Sequence, residues 1–123
     1  MTRHIVISGA GSGIGRSIAQ TLAERGYSLI LLGRNLGNLE STKNLLKNPS
    51  QHQCQPCDIR NSGEIHQALA NVSSLYGLIA NAGLGGENQY GEQDRWQEII
   101  DTNLTGTYQT IQECLPLIKK NPA

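Results

Sequence analysis

Four glycines stand at alternate positions, Gly9, Gly11, Gly13 and Gly15, in the stretch SGAGSGIGR (8–16). They follow directly on the apolar run IVI (5–7). Glycine is costly to order and packs nothing, so such a run marks a place where something must come close to the backbone. A tight turn needs fewer. The residues behind the run have helical spacing, which puts the glycines at a strand-to-helix turn. There the orphan N–H groups of a helix N-terminus point outward and favour an anion. In a doubly wound sheet this turn takes the pyrophosphate of a dinucleotide. Two common phosphate motifs are absent. GxGxxG fails because its last position falls on Ile14 counted from Gly9 and on Arg16 counted from Gly11. No Gly-Lys-Ser/Thr follows, so the segment is not a P-loop.

A second candidate is CQPC, with Cys54 and Cys57 at redox or metal spacing. A metal site needs about four ligands, and His52 is the only other candidate nearby. A redox pair needs a helix N-terminus to lower a thiol pKa. These cysteines lie instead in a strand-like stretch and read as plain strand residues, with no metal expected. Three cysteines is an odd count, which fits a reducing, cytoplasmic setting. The sequons at Asn71 and Asn103 are then chance matches.

The elements that would position these residues alternate. HIVIS (4–8) and SLILLG (28–33) read as buried strands, 51–57 as a weaker one and YGLIAN (76–81) as a fourth. Between them, 13–25 carries Ile14, Ile18 and Leu22 at helical spacing and ends at Gly26. Residues 35–47 form a moderate helix stopped before Pro49, and Asn61 or Ser62 caps a helix to about Ala70. A glycine-rich loop, Gly83–Gly91, precedes EQDRWQEIID. A long helix comes next, with Leu104, Tyr108, Ile111, Leu115 and Ile118 on one stripe. This alternation predicts an α/β fold, a Rossmann-type doubly wound parallel sheet, as a single domain over 1–123. The 123 residues carry 10 basic and 10 acidic side chains, with only Lys119 and Lys120 adjacent as a basic pair. Nucleic acid is not an expected partner. The apolar runs are too short to span a bilayer.

The spacing Gly9-x-x-x-Gly13-x-Gly15 resembles the TGxxxGxG motif of the short-chain dehydrogenase/reductase family, with Ser8 in place of the threonine. Three further segments resemble the family in order. CDIR places Asp58 at the end of the third strand, where the family has an aspartate beside the adenine. ANAG (80–83) is similar to its NNAG, with Ala80 for the first asparagine. NLTG (103–106) is similar to the segment whose asparagine belongs to the catalytic tetrad. The resemblance implies cofactor contacts at Gly9, Gly11, Ser12, Gly13, Ile14, Gly15, Asp58, Ile59, Asn81, Ala82 and Gly83. It implies a catalytic role for Asn103, at a helix kink that helps hold a water in a proton relay. By residue type alone Asp58 is equally an N-cap for the next helix, and Asn103 a surface residue.

The second strand ends in LLGRN. An acid there would bond the ribose hydroxyls of NAD, but the first acid is Glu40, several residues into the next helix. Arg34 stands where a guanidinium could fork onto a 2′-phosphate. The alternative is a solvated loop arginine. Family members with arginine here generally prefer NADP, so NADP(H) is expected over NAD(H). Arg16 adds positive charge near the same turn or faces solvent.

The family's chemistry also needs a tyrosine, a lysine four residues on, and an upstream serine. Four residues beyond Tyr27, Tyr76, Tyr90 and Tyr108 stand Leu31, Ala80, Asp94 and Gln112. The serines fall before the expected position. Residues 1–123 therefore read as the cofactor half of a longer fold, cut after the fourth strand and its long helix. The fourth strand should then be an open edge. The resemblance implies an oxidoreductase interconverting an alcohol and a carbonyl. NADPH-dependent reduction, similar to that of a 3-oxoacyl-thioester reductase, is one form of it, and the 123-residue chain alone should be inactive. The alternative is a non-catalytic NADP-binding module or partner subunit. A dimer or tetramer is implied through the long helix, although its stripe fits burial in its own core as well.

Overall fold

The computed structural model describes residues 2–83 and 94–121. Strand β1 (His4–Ser8) leads into helix α1 (Gly13–Glu24), and β2 (Ser28–Gly33) into α2 (Leu36–Asn44). A short 3-10 turn (Pro49–Gln51) precedes β3 (Gln53–Pro56). Then come α3 (Ser62–Ala68), β4 (Gly77–Ala80), α4 (Trp96–Ile100), a π-helical turn (Asp101–Gly106) and α5 (Thr107–Lys119). The strands form one parallel sheet in the order β3-β2-β1-β4. The chain thus builds outward from β1 to β3, then crosses to the other side of β1. That reversal makes the carboxyl ends of β1 and β4 a topological switch point, where open α/β sheets bind ligands.

Side chains alternate across the sheet, and both faces are covered. Ile5, Ile7, Leu29 and Leu31 pack with Ala19 and Ala23 of α1 and Leu39 of α2. Val6, Ile30 and Leu32 point the other way, onto Ile65 of α3 and Cys114 of α5. Double burial is why β1 and β2 read as unbroken apolar runs. As expected, β4 is an edge among the described strands, and its Ala80 is exposed.

Two expectations are adjusted. The third strand is shorter than 51–57, because Asn48 turns left-handed (φ 54) into the 3-10 turn. The long helix is not regular, since the π turn inserts a residue and rotates the helix beyond it. Its apolar stripe lies mostly on the outer face. Leu104, Tyr108, Ile111 and Leu115 are exposed, whereas Ile118 packs on the core with Leu117. The buried face is Gly106, Thr110 and Cys114, small enough to let the helix lie close to the sheet. The loop read at Gly83–Gly91, with Tyr90, lies beyond Gly83 outside the described residues.

Candidate functional site

At the switch point, the loop after β1 and the end of β4 are tied together. Ser8 is buried, and its Oγ accepts the N–H groups of Asn81 and Ala82, each at 3.1 Å. The Asn81 side-chain amide donates to the Gly9 carbonyl at 3.2 Å. Gly9 has φ +66°, and a Cβ there would sit 2.8 Å from the Ala82 Cα, so this position is closed to other residues. At Gly15 a Cβ would overlap the Gly9 carbonyl oxygen and come within 2.8 Å of the Asn81 amide. We expect Ser8→Ala to lower stability by about 1–3 kcal/mol, since it leaves two N–H donors without their acceptor. Urea unfolding should show a lower midpoint at unchanged slope. An unchanged midpoint would mean that the hydroxyl is dispensable to the tie.

The loop's carbonyls are all turned inward and held. Gly9 O takes Asn81, Ala10 O takes the Thr42 hydroxyl at 2.8 Å, and Gly11 O takes the Arg16 guanidinium at 2.7 Å. Arg16 also donates to Thr42 Oγ1 at 2.9 Å. It is a brace for the loop rather than a solvated charge. With its carbonyls tied back, the loop presents the start of α1. Ser12, at the N-cap, makes no side-chain cap, whereas Asn35 and Asn61 cap α2 and α3. No acid occupies the first turn of α1. The amides there are open to an anion. Gly13 and the 72 %-exposed Ile14 form the rim on the α1 side.

Beside the loop is a recess of about 150 Å³ whose lining includes Gly9, Arg34, Asp58, Ile59, Ala82 and Gly83. It is smaller than the roughly 300–1,000 Å³ of whole ligand pockets, and so forms only part of a wall. Arg34 is exposed at its edge. Ile59 is buried, its side chain against Gly106. Asp58 is not the N-cap of α3, a role taken by Asn61 through Glu64 N–H. Instead its carboxylate is gripped by Arg60 at 2.6 and 3.0 Å. That hydrogen bonding holds the Asp58 carboxyl below the usual carboxylate range, and the Arg34 charge acts in the same direction.

Asn103 lies exposed in the π turn, a feature that recurs at functional sites. Its Oδ1 stands 3.1 Å from where a Gly83 Cβ would be. ANAG and NLTG are thus brought into contact. The structure gathers Gly9, Arg34, Asp58, Ile59, Ala82 and Gly83 on one recess, with Asn81 and Gly15 behind the loop. Gly11 is apart, facing Asn38 of α2. Thr102 and Gly33 also line the recess and were not singled out by sequence, and Cys57, read as a plain strand cysteine, lines it too. Thr102 could have been found as the neighbour of Asn103.

Of the CQPC cysteines, Cys54 lies in β3 and Cys57 one residue past its end. Among the described residues no group of three or more potential ligands could hold a metal ion. His52 is buried, its Nδ1 accepting Leu29 N–H at 3.0 Å and its Nε2 meeting Lys47 O at 2.9 Å. Burial pushes the Cys57 thiol up to about 11 and Cys114 up to about 12, the opposite of a redox cysteine.

The sequence profile of the short chain dehydrogenases matches residues 3–123. An uncharacterised oxidoreductase of Staphylococcus aureus is 35% identical over 117 residues, covering 90% of this chain and 50% of the relative. A sulfoacetaldehyde reductase of Chromohalobacter salexigens is 34% identical over 125 residues, covering 96% and 49%. The chain spans about half the length of these curated relatives. Among solved structures, an alcohol dehydrogenase from the archaeon Thermococcus sibiricus complexed with 5-hydroxy-NADP superposes with TM-score 0.85 at 28% identity. The match covers 98% of this chain and 55% of that one.

Proposed function

The chain belongs to the short-chain dehydrogenase family, and from that premise we propose that it is the cofactor-binding half of an NADP(H)-dependent oxidoreductase that reduces a small carbonyl compound to the alcohol. The observation that carries this is the loop of Gly9–Gly15. Its carbonyls are tied back by Asn81, Thr42 and Arg16, and Gly9 and Gly15 are packed against the end of β4 and against each other too closely for a Cβ, which fixes the loop's shape. A dinucleotide fits these residues. The amides from Gly11 through Ser12, Gly13 and Ile14 hold the pyrophosphate. Arg34 takes the 2′-phosphate. Asp58 and Ile59 take the adenine, and Asn81, Ala82 and Gly83 the adjoining ribose. When bound, the nicotinamide supplies the hydride. Asn103, in contact with Gly83, positions the water of a proton relay. The tyrosine–lysine pair that would move the proton at the substrate oxygen is not among these residues, since no tyrosine here has a lysine four residues on.

The missing pair also supports a second reading, a non-catalytic NADP-binding module or partner subunit. A Tyr-x-x-x-Lys following in frame decides for the enzyme. A 3-oxoacyl thioester is the substrate class we favour, and the exposed face of Leu104, Tyr108, Ile111 and Leu115 is where we expect a second copy to dock, giving a dimer or tetramer. No helix among the described residues is long and apolar enough to cross a membrane. The three free thiols fit a cytoplasmic location.

The cofactor reading is tested by melting the protein against rising NADPH and NADH. A ligand of the native state raises the melting temperature through RT ln(1 + [L]/Kd). A larger shift with NADPH is expected. Equal shifts would reject the NADP preference, and no shift with either would reject the site.

A further inference from the structure

We infer that Arg60 is a specificity-determining residue that acts through Asp58: it neutralises that carboxylate so that Arg34 stays available to a 2′-phosphate. The inference rests on the cofactor reading above. Arg34 and Asp58 face each other across the same recess and share a second, shallower one with Glu64. Left alone, Asp58 would compete for the Arg34 guanidinium. It would also set a bare negative charge beside the dianionic phosphate. Like charges this close oppose binding, and a partly exposed site screens them incompletely.

Arg60 removes both effects. Its Nη2 meets Asp58 Oδ2 at 2.6 Å, its Nε meets Oδ1 at 3.0 Å, and its backbone N–H donates to the same Oδ1 at 3.0 Å. A forked pair fixes the carboxylate plane as well as its charge. The arginine is itself anchored, since its carbonyl accepts the Gln109 amide of α5 at 3.4 Å, and the charges of Glu98 and Asp101 reach it from α4 and the π turn. Glu64 adds a further negative charge nearby, with Oε1 accepting the Asp58 N–H at 3.1 Å. This makes the compensation by Arg60 more consequential. A simple surface ion pair would contribute little. What separates this one is that its acid, Asp58, lines the same recess as Arg34.

The test is the ratio of NADH to NADPH dissociation constants, measured calorimetrically on the intact protein and its variants. R60Q should lower that ratio roughly five- to tenfold, by weakening NADPH selectively. Adding D58N to R60Q should restore the ratio, even though both cofactors then lose the adenine contact. D58N alone leaves Arg60 unpaired and should raise the ratio, which keeps the inference testable should R60Q fold poorly. A merely structural role for Arg60 would weaken both cofactors equally, and an unchanged ratio in R60Q or no recovery in the double variant would overturn the inference. A wild-type protein without NADPH preference would overturn the cofactor reading itself.

Discussion

Gly15→Ala is expected to abolish dinucleotide binding and to destabilise the fold by roughly 1–3 kcal/mol or more. The added Cβ would overlap the Gly9 carbonyl oxygen and press within 2.8 Å of the Asn81 amide. Neither neighbour can retreat cheaply. The Gly9 carbonyl is backbone at φ +66°, and the Asn81 amide is the group bonded to it at 3.2 Å. Relief must move α1 away from the loop or break the tie between β1 and β4. Either displaces the amides that face the pyrophosphate, and misplacement on the scale of 1 Å costs about a hundredfold in a positioned site. Thermal melts without ligand and with NADPH check both parts. The melting temperature should fall by about 4 °C for each kcal/mol lost, and the NADPH-dependent rise should vanish. Ser12→Ala is the internal comparison, for Ser12 is exposed and makes no side-chain cap. Its stability without ligand should stay within about 0.5 kcal/mol of the original. Unperturbed binding by Gly15→Ala would show that the loop is not the cradle.

Arg34→Glu is expected to weaken NADPH about a hundredfold and to leave NADH within about threefold, without a comparable loss of stability. A hydrogen bond to a charged partner is worth about 1.5–3 kcal/mol, and the reversed charge adds repulsion from a phosphate. The side chain is exposed at the carboxyl end of β2, so the core loses nothing with it. The same substitution adds an acid beside Asp58, which lines the same recess. Calorimetric titration with each cofactor separates the outcomes. Equal losses for both would assign Arg34 to the loop's structure, and no loss for either would leave it a solvated residue.

The elements were legible because their signals are local. Val6, Ile30 and Leu32 bury one face of the sheet and Ile5, Ile7, Leu29 and Leu31 the other, and an unbroken apolar run states that directly. Gly26 ends α1 with φ +92°, and Asn61 caps α3 through Glu64 N–H, as their residue types imply. The glycine spacing with Asp58, ANAG and NLTG carried the family. Local pattern failed on the last helix, where the larger apolar residues are not the buried ones. Leu104, Tyr108, Ile111 and Leu115 face outward while Ile118, at the border of the same stripe, packs inward, because the face laid on the core is the one of Gly106, Thr110 and Cys114, whose small side chains give little apolar signal.

Apolar run length, breakers and glycine spacing dictate an alternating parallel fold and a glycine loop at a strand-to-helix turn. Which groups hold that loop in shape follows from long-range contacts in the folded chain. Thr42 reaches Ala10 from 32 residues away and Asn81 reaches Gly9 from 72, while Arg60 rather than the start of α3 claims Asp58. Hydrogen bonds between distant residues depend on where the folded sheet brings strand ends together, and no local periodicity encodes that meeting.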